Sequence, residues 1–481
     1  MKLNNLVFTS SGVRGIAGES LNIKFVRKLS NTYGLWLQGA KQVVIGRDTR
    51  PSSKLYENAA ISGLIETGCE VINLEICPAP VIIYMKNKLN ISGGIIISGS
   101  HNPPNWNGLK FISEKTFIND SEIKEILNIF NKIDSNYIKK YKSQHIYTVK
   151  TIDPNPDYIK AIYKNVDYQN LKKNNNLKVV VDTGAGSGRI ITPQTLRGLG
   201  CEVKVINNDL DENNNFPRGI EPIEENLNDL ITTIRDGNYD IGFAHDSDAD
   251  RLTIVGDDSI CYPEDISLAL IADYMLKQSE NANKKVIFVT NLASSLQFEA
   301  ITNKYNAEVV RTPIGEIHLA QKLDKLINEY KGDLSDLIIF GGEGSCGGIM
   351  FPQFNNTRDG IFAAAKIVEI LVKTREKVST LINRLPKFYN FRKIIALNEW
   401  NKDIFIKELK DILKSEDWEF SQFGRDIRIS QNNEWFVLIH PSNTEPVIRI
   451  IAEGKNKNKI KEIFNETAKI VSKILLKLKN D

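Results

Sequence analysis

Short apolar runs rich in β-branched residues recur along this chain, and each ends in a polar or glycine-containing turn. Segments with helical periodicity separate them, which predicts parallel sheets built from strand–helix–strand units and covered on both faces. The runs are QVVIGRD (42–48), EVINLEI (70–76), GGIIISGS (93–100), KVVVDTG (178–184), EVKVIN (202–207), DIGFAHD (240–246), VIFVTN (286–291), EVVRTP (308–313) and LIIFGGE (337–343).

These runs predict three copies of one α/β unit, each about one domain long. Each copy ends in a strand followed by an unusual polar loop, which reads SGSHNP, HDSDADR or GGEGSCGG. Ligands of open α/β sheets bind beyond the carboxyl ends of the strands, so the three loops are expected to meet at one cleft. After Leu385, alternating hydrophobic residues and a Lys-rich amphipathic segment predict a smaller α+β domain.

Composition narrows the class of protein. The 481 residues include 62 basic and 59 acidic ones, and the net charge of +3 is too balanced to indicate a nucleic-acid or membrane partner. The five cysteines form no CxxC pair, and the sequence shows neither a signal peptide nor a run of membrane-spanning length. We therefore expect a cytoplasmic protein in a reducing compartment.

Residues 246–251 read DSDADR, which places Asp246, Asp248 and Asp250 in alternation on one tight loop. Carboxylates this close repel one another unless a cation neutralises them, so a hard divalent metal is the expected partner. An EF-hand is excluded because Arg251 stands where that loop needs glycine; a solvated acidic turn remains the alternative. Three oxygen ligands leave positions for phosphate, which favours magnesium and phosphoryl chemistry, with Arg251 near a further phosphate oxygen.

Residues 98–111 read SGSHNPPNWNGLKF and raise the question of whether Ser100 is catalytic. Adjacent residues generally point in different directions, so His101 is expected to be badly placed to take the proton of Ser100. A serine facing a metal can instead carry a phosphoryl group, whose charge of about −1.5 to −2 the metal offsets. Lys110 is expected to return towards the same cleft. For an isolated motif of this kind, a plain structural turn remains the alternative.

Two further loops suit sugar and phosphate binding, although each also fits a plain turn. GGEGSCGG (341–348) offers Glu343 and Ser345 to vicinal sugar hydroxyls. HPSNTEPVIR (440–449) offers an anion-binding set of hydroxyl, amide, backbone N–H and guanidinium groups, from Ser442, Asn443, Thr444 and Arg449.

A third glycine-containing segment, VVVDTGAGSG (179–188), lacks the G-x-G-x-x-G spacing of dinucleotide-binding proteins, so dinucleotide binding is not expected.

Together these segments resemble the α-D-phosphohexomutase superfamily, and the resemblance covers the whole chain in order. One motif is modest support, whereas the ordered set is highly specific. The matching segments are FTSSGVRG (8–15), GRDTRPSS (46–53), SGSHNPPNWNGLK (98–110), GIEPIEENL (219–227), HDSDADR (245–251), RTPIG (311–315), GGEGS (341–345) and PSNTEPVIR (441–449).

The resemblance implies an α/β fold of four domains around a central cleft. Three related α/β domains with mixed, largely parallel sheets would precede the C-terminal α+β domain. We predict a phosphoserine-loop domain, a metal-loop domain, a sugar-loop domain and a phosphate-loop domain, with boundaries at 1–152, 153–256, 257–385 and 386–481.

The resemblance also implies the reaction, which interconverts hexose 1-phosphate and 6-phosphate through a phosphoserine enzyme and a hexose 1,6-bisphosphate. One Mg²⁺ per chain would be held by the three aspartates and a phosphoserine oxygen on Ser100. Arg14 and Lys110 would lie beside the reacting phosphate, with Lys110 in proton transfer, and His101 would orient the loop. Glu343 and Ser345 would bind sugar hydroxyls. The non-reacting phosphate would be bound by Ser442, Asn443, Thr444 and Arg449.

The chain departs from the superfamily pattern at five positions. Gly99 replaces the usual Ala, Ser247 the usual Gly, and Asn443 a further Gly. His440 stands where many members have Arg, and Cys346 reads as an insertion beside the sugar loop.

Two rival functions are a haloacid-dehalogenase-type sugar phosphatase and a non-catalytic sugar-phosphate sensor. The first would not need the SHNP and SNTEP loops, and the second would tolerate loss of Ser100 or of the aspartates. A mutase assay separates them, since only a phosphatase releases phosphate. The sequence leaves the hexose open between glucosamine, mannose and glucose, and we expect a monomer or homodimer.

Overall fold

The computed structural model describes most of the chain in eleven ranges. These are residues 6–9, 12–38, 41–113, 116–133, 148–280, 284–344, 347–396, 401–415, 418–431, 433–442 and 447–480. Within these ranges, every helix is too short or too polar to cross a lipid bilayer.

The first repeat forms a seven-stranded sheet in the order β1-β2-β6-β5-β3-β4-β7. Its core packs Val43, Ile45, Ile95 and Ile97 of the central strands against three helices, and Tyr33 of the first helix is buried in it. The elements are β1 (Val7–Thr9), β2 (Gly12–Ile16), α1 (Ile23–Trp36), β3 (Gln42–Arg47), α2 (Ser53–Glu66), β4 (Glu70–Ile76), α3 (Ala79–Lys88), β5 (Gly93–Ile97), β6 (Trp106–Ile112), α4 (Asp120–Lys132) and β7 (Val149–Thr151).

The second repeat forms a five-stranded sheet in the order β12-β11-β10-β8-β9. Its elements are α5 (Asn155–Lys164), α6 (Tyr168–Asn174), β8 (Lys178–Asp182), α7 (Ile191–Gly198), β9 (Glu202–Ile206), α8 (Asn228–Asp236), β10 (Ile241–Ala244), β11 (Thr253–Gly256) and β12 (Cys261–Tyr262).

The third repeat and the C-terminal segment complete the chain. The third repeat contains α9 (Glu264–Glu280), β13 (Lys285–Asn291), α10 (Gln297–Lys304), β14 (Glu308–Thr312), α11 (Glu316–Glu329), β15 (Leu337–Gly342), β16 (Ile349–Phe351), β17 (Asn355–Asp359), α12 (Gly360–Thr374) and α13 (Val378–Asn383). The C-terminal segment forms an antiparallel sheet in the order β18-β22-β21-β20-β19, from β18 (Tyr389–Ala396), α14 (Lys402–Ser415), β19 (Phe420–Phe423), β20 (Asp426–Gln431), β21 (Trp435–Pro441), β22 (Val447–Gly454) and α15 (Lys457–Asn480).

The three repeats share one strand arrangement, as the sequence predicts. In each, the first strand lies between the second and third and is parallel to both: β3 between β4 and β5, β8 between β9 and β10, and β13 between β14 and β15. The third strand is the one that leads into the polar loop. In the first two repeats an antiparallel strand follows this loop, so the loop is a turn between paired strands.

By their internal contacts the residues fall into two units. The first unit comprises Met1–Ile271 and Cys346–Asn383, and the second comprises Ala272–Ser345 and Arg384–Asp481. The first unit therefore contains the loops of Ser100 and of the three aspartates, together with the β16–β17 hairpin. Glu343 and the C-terminal sheet belong to the second unit.

Candidate active site

Ser100 lies in the turn between β5 and β6, and its backbone adopts the left-handed region with φ of 51°. This region costs residues other than glycine roughly 1–2 kcal/mol of conformational free energy, so hydrogen bonds from neighbouring residues must hold the turn. The carbonyl oxygen of Ser100 accepts hydrogen bonds from Arg50 Nη2 at 2.6 Å and from Ser247 Oγ at 2.8 Å. Ser100 itself is buried, as is all of β5.

Arg50 shapes this turn from inside the protein, a role that the sequence analysis did not assign. Its Nε donates to Asp48 Oδ2 at 3.0 Å, and its Nη1 donates to the carbonyls of Pro103 and Trp106 at 2.6 and 3.0 Å. Its Nη2 reaches the carbonyl of Asn102 at 2.7 Å as well as that of Ser100. Because both terminal nitrogens of Arg50 are bonded to backbone carbonyls of residues 100–106, this side chain sets the shape of the segment.

The three aspartates follow β10 and form a buried cluster. One carboxylate oxygen from each of Asp246, Asp248 and Asp250 lies within 4.8 Å of the others. The Oδ1 atom of each is buried and accepts no hydrogen bond from the described residues. Buried carboxylate oxygens without partners are costly, and hard cations prefer such ligands. The cluster therefore fits a magnesium ion.

The electrostatics of the cluster also favour a cation. Burial raises the pKa of Asp246 well above its usual value, and the charges of Asp248 and Asp250 raise it further. Burial acts in the same direction on Asp248, but Lys110 and Arg14 outweigh it and hold the pKa of that carboxyl below its usual range. A divalent ion would relieve the repulsion that Asp246 experiences.

Arg14 and Lys110 enter the site from adjacent strands. Arg14 pairs with Gly108 and Lys110 with Gly12 across β2 and β6, so both side chains lie on one face of the sheet. Lys110 Nζ donates to Asp248 Oδ2 at 2.7 Å and lies 3.7 Å from Asp250 Oδ2. Burial lowers the pKa of Lys110, but the two carboxylates more than offset it, so the pKa lies above its ordinary value.

His101 contacts Ser100, contrary to the expectation that adjacent side chains point apart. Its Nδ1 lies 3.4 Å from Ser100 Oγ, a long contact. The same nitrogen lies 2.9 Å from Arg251 Nη2, which can only donate. Burial lowers the pKa of His101 far below its usual value, and Arg251 and Arg14 lower it further. The Nδ1 lone pair is therefore engaged by Arg251, and His101 is not available as the base of Ser100.

Arg251 itself is held by acidic partners. Its Nη1 donates to Glu221 Oε1 at 2.9 Å and lies 3.7 Å from Glu264 Oε1, while its Nε lies 3.9 Å from Asp246 Oδ2. Glu221 belongs to the GIEP segment. These contacts fix the guanidinium beside His101 and the cluster.

Two glycines that flank the β16–β17 hairpin pack their backbone directly against the metal loop, residues 245–251. A β-carbon at Gly348 would lie 2.1 Å from the carbonyl oxygen of Asp250, and one at Gly360 would lie 2.3 Å from that of Arg251. Arg358 of the same hairpin donates from Nη2 to Asp250 Oδ2 at 2.7 Å. Glycine is required at both positions because any side chain would displace the loop.

The glycine run 179–188 has a structural role in this site. Ser187 donates from its backbone N–H and from Oγ to the carbonyl of Ser247, at 2.8 and 2.9 Å. A β-carbon at Gly186 would lie 2.8 Å from the carbonyl oxygen of Asp246. The run therefore supports the metal loop.

In the second unit, Glu343 is buried just after β15. Its Oε1 accepts hydrogen bonds from Asn291 Nδ2 and from the backbone N–H of Gly315, both at 3.0 Å. Arg449 on β22 pairs with His440 on β21 across the sheet, and His440 Nδ1 lies 2.6 Å from Asp426 Oδ1. Ser442 is buried at the end of β21, and the predicted residues Ser345, Asn443 and Thr444 lie outside the described residues.

Models of four protein domains match the chain in order. They are described as phosphoglucomutase/phosphomannomutase alpha/beta/alpha domains I, II and III, at residues 5–137, 156–259 and 263–389, and the C-terminal domain, at 395–470. A phosphoglucomutase/phosphomannomutase of Thermococcus kodakarensis is 34% identical over 475 residues, which are 98% of this chain and 99% of the relative. The chain belongs to the phosphoglucomutase/phosphomannomutase family.

Other similar proteins carry related names. A second T. kodakarensis protein, named "Probable phosphoglucosamine mutase", is 33% identical over 469 residues, 97% of this chain and 98% of its own length. The crystal structure of a phosphoglucomutase/phosphomannomutase family protein from Burkholderia thailandensis has a TM-score of 0.80 at 23% identity and covers 97% of each chain. Aspergillus fumigatus N-acetylphosphoglucosamine mutase, solved with GlcNAc-6P and magnesium, has a TM-score of 0.61 at 12% identity, with 98% of this chain and 96% of that one covered.

These comparisons confirm the predicted fold class and the predicted phosphohexomutase reaction, an intramolecular phosphoryl transfer. They give no support to the phosphatase or the sensor. The structure brings the predicted residues of the first unit together, since Ser100, His101, Lys110, Arg14, Arg251 and the aspartates form one network of contacts and charges.

The sequence analysis missed four residues of this phosphohexomutase network. Asp48 and Arg50 hold the serine turn (residues 98–103), while Arg358 contacts Asp250 and Glu221 contacts Arg251 in the metal loop. A signal for Arg358 was present: NNTRDG (355–360) is a polar strand leading into a helix capped by the Asp that follows the arginine. Such a strand, flanked by apolar segments, indicates buried polar contacts.

Proposed function

We propose that this phosphohexomutase uses Ser100 as the carrier of the transferred phosphoryl group. The observation that carries the proposal is the 3.2 Å hydrogen bond from Ser100 Oγ to Asp246 Oδ2. It places a buried hydroxyl beside three carboxylates that each retain an oxygen without a hydrogen-bonding partner among the described residues. A metal bound there would lie next to a phosphate on Ser100, which needs such a charge.

Asp246, Asp248 and Asp250 would hold one Mg²⁺, with a phosphoserine oxygen on Ser100 as a further ligand. Bound there, magnesium supplies positive charge to the transferring phosphoryl group. Support comes from the spare Oδ1 atoms of the aspartates and from the A. fumigatus mutase that was solved with magnesium and GlcNAc-6P.

In the first step, the bond from Ser100 Oγ to phosphorus breaks and a bond from phosphorus to a sugar hydroxyl oxygen forms. The hydroxyl loses one proton and Ser100 Oγ gains one, so the step is balanced. Lys110 donates the proton to Ser100 Oγ and recovers one from the sugar hydroxyl. Arg14 adds fixed positive charge beside the phosphoryl group.

The product of that step is a hexose 1,6-bisphosphate, which returns its other phosphate to Ser100 after reorientation. Arg251 would contact a phosphate oxygen, and His101 would hold Arg251 through Nδ1. In the second unit, Glu343 and Ser345 would bind sugar hydroxyls. The non-reacting phosphate would be bound by Ser442, Asn443, Thr444 and Arg449.

The substrate is a hexose phosphate of the glucosamine, mannose or glucose type. Relatives of nearly equal identity are named for glucosamine or for glucose and mannose phosphates. Rates with glucosamine, mannose and glucose 1-phosphates, each with bisphosphate activator, decide among them. We further predict a monomer or homodimer in the cytoplasm.

The carrier role is tested with Ser100→Ala. Intact-mass analysis of the wild-type protein should show one phosphate that peptide mapping places on Ser100, and mutase activity of the variant should fall to below a few per cent. Ser62→Ala removes a hydroxyl from the surface of α2 and should behave as wild type. Substantial activity in Ser100→Ala would refute the carrier role.

A further inference from the structure

Two hydrogen bonds join Ser100 itself to the metal loop. One runs from Ser100 Oγ to Asp246 Oδ2 at 3.2 Å, and the other runs from Ser247 Oγ to the carbonyl oxygen of Ser100 at 2.8 Å. Neighbouring residues of one loop therefore hold both the side chain and the backbone of Ser100.

The two bonds respond differently to phosphorylation. The Ser100 hydroxyl proton makes the first bond, and this proton is replaced when Ser100 Oγ carries a phosphoryl group. The second bond uses only the backbone carbonyl of Ser100 and the hydroxyl of Ser247, which are the same in both forms. Of the two, only the Ser247 bond therefore persists through the catalytic cycle.

The surroundings of Ser247 fix its position. Ser187 donates twice to the carbonyl of Ser247, at 2.8 and 2.9 Å, and Ser247 is buried. Asp48 Oδ2, at 3.1 Å from Ser247 Oγ, is a second and more distant acceptor for the same proton. Asp48 Oδ2 also accepts from Ser98 Oγ at 2.8 Å. Ser98 Oγ in turn accepts the backbone N–H of Ser100 at 2.8 Å. The backbone N–H and the carbonyl of Ser100 are therefore bonded to Ser98 and Ser247, whose hydroxyls both lie against Asp48.

We propose that Ser247 is a positioning residue for Ser100, an inference that rests on the proposed carrier role. It holds the turn in its left-handed conformation and keeps Ser100 Oγ in register with the metal loop when the phosphate resides on the bisphosphate intermediate. Accurate register at that stage favours return of a phosphate to Ser100 over release of the intermediate. The superfamily pattern has glycine at this position, which offers no such hydroxyl.

The test compares full-length wild type with Ser247→Ala and Ser247→Gly. Dephosphorylated enzyme is mixed with glucose 1,6-bisphosphate and Mg²⁺, and phosphate on Ser100 is followed by intact mass. Loss of one net hydrogen bond should slow this phosphorylation about fivefold, with the KM for hexose 1-phosphate within about twofold of wild type. When no bisphosphate is added, the variants should also complete fewer turnovers before the enzyme loses its phosphate through release of the bisphosphate intermediate.

The matched control is Ser279→Ala, which removes another buried hydroxyl that donates to a backbone carbonyl, that of Leu276. It should phosphorylate at the wild-type rate. A wild-type phosphorylation rate in Ser247→Ala overturns the positioning role. If Ser247→Ala shows no cooperative unfolding transition and is therefore not folded, the phosphorylation rate of Ser247→Gly decides instead. If wild type itself takes up no phosphate, the carrier role fails, and the two failures are thereby distinguished.

Discussion

The ammonium group of Lys110 donates a 2.7 Å hydrogen bond to Oδ2 of Asp248, while Oδ1 of the same carboxylate has no hydrogen-bonding partner in the described part of the chain. One carboxylate can therefore serve a cation on each side, lysine at one oxygen and metal at the other. The pKa of Lys110 is raised and that of Asp248 is lowered, the directions expected for mutual stabilisation of the two charges.

Asp248→Asn should weaken both interactions. We expect mutase activity to fall by more than about 100-fold, because an amide is a weaker ligand for magnesium and a weaker partner for Lys110. Calorimetric titration with Mg²⁺ alone should show weaker binding, and a chelator should inactivate wild type reversibly. The control Asp236→Asn removes an exposed carboxylate; wild-type Mg²⁺ affinity in Asp248→Asn would contradict the assignment.

Arg50→Lys should destabilise the protein and slow the reaction although the charge is kept. Lysine cannot reproduce the planar fork that reaches Asp48 and four carbonyl oxygens. The free energy of unfolding should drop by about 3 kcal/mol, the scale for breaking a buried charged network. Urea unfolding measures it, with Arg235→Lys on the surface of α8 as the control. Equal unfolding midpoints would show that the carbonyls find other donors.

Asn291→Asp should weaken sugar binding through Glu343. The Oδ1 of Asn291 accepts the backbone N–H groups of Ala293 and Ser294, and aspartate preserves this cap. The Nδ2 donor to Glu343 is replaced by a carboxylate oxygen that repels it. We expect KM to rise about tenfold with a smaller change in kcat.

The control for that variant is Asn303→Asp, which adds the same charge at an exposed position of α10. Steady-state kinetics with hexose 1-phosphate supply both constants. A change in kcat alone, with KM as in wild type, would place Glu343 outside the substrate contacts.

Asp359 should make stability depend on pH below neutrality. Burial raises its pKa from 3.8 to about 6, so between these values the folded state binds a proton that the unfolded state releases. The stabilisation is full below about pH 4 and is lost as pH rises through 6, by roughly 3 kcal/mol at most. Its neighbour is the hydroxyl of Tyr158, which donates to Oδ2.

Asp359→Asn retains an acceptor for the backbone N–H of Phe362 at the start of α12 but cannot ionise. Urea unfolding from pH 4 to pH 7 should therefore show a smaller decline for the variant than for wild type. Parallel curves for the two proteins would mean that the carboxyl titrates at its ordinary pKa.

The sequence was informative where chemistry is local. The alternation of Asp246, Asp248 and Asp250 forces carboxylates together whatever surrounds them, and strand ends locate the loops because parallel strands share an edge. The left-handed backbone of Ser100 had no such signal, since serine rarely adopts it. That conformation arises from Arg50 and Ser247, which are 50 and 147 residues away along the chain.

Two departures from the superfamily pattern acquired a physical reason only in the structure. Ser247 stands where the superfamily has glycine, and its hydroxyl donates to the carbonyl oxygen of Ser100. A β-carbon at Gly99 would lie 2.6 Å from Arg50 Cζ, so the missing methyl gives the buried guanidinium room. Such complementarity between distant segments cannot be deduced from composition or periodicity. For Arg358, the polar strand NNTRDG indicated buried polar contacts but not the partner, Asp250, which is 108 residues away.

The packing of Gly348 and Gly360 against the metal loop has a consequence for biosynthesis. Translation proceeds from the N-terminus at about 5–20 residues per second, and early segments fold while later ones are still being made. The first two repeats can assemble their sheets in that interval, but Gly348 and Gly360, which pack against Asp250 and Arg251, are encoded about one repeat later. We therefore expect the proposed magnesium site to form only after residues 347–360 have emerged from the ribosome.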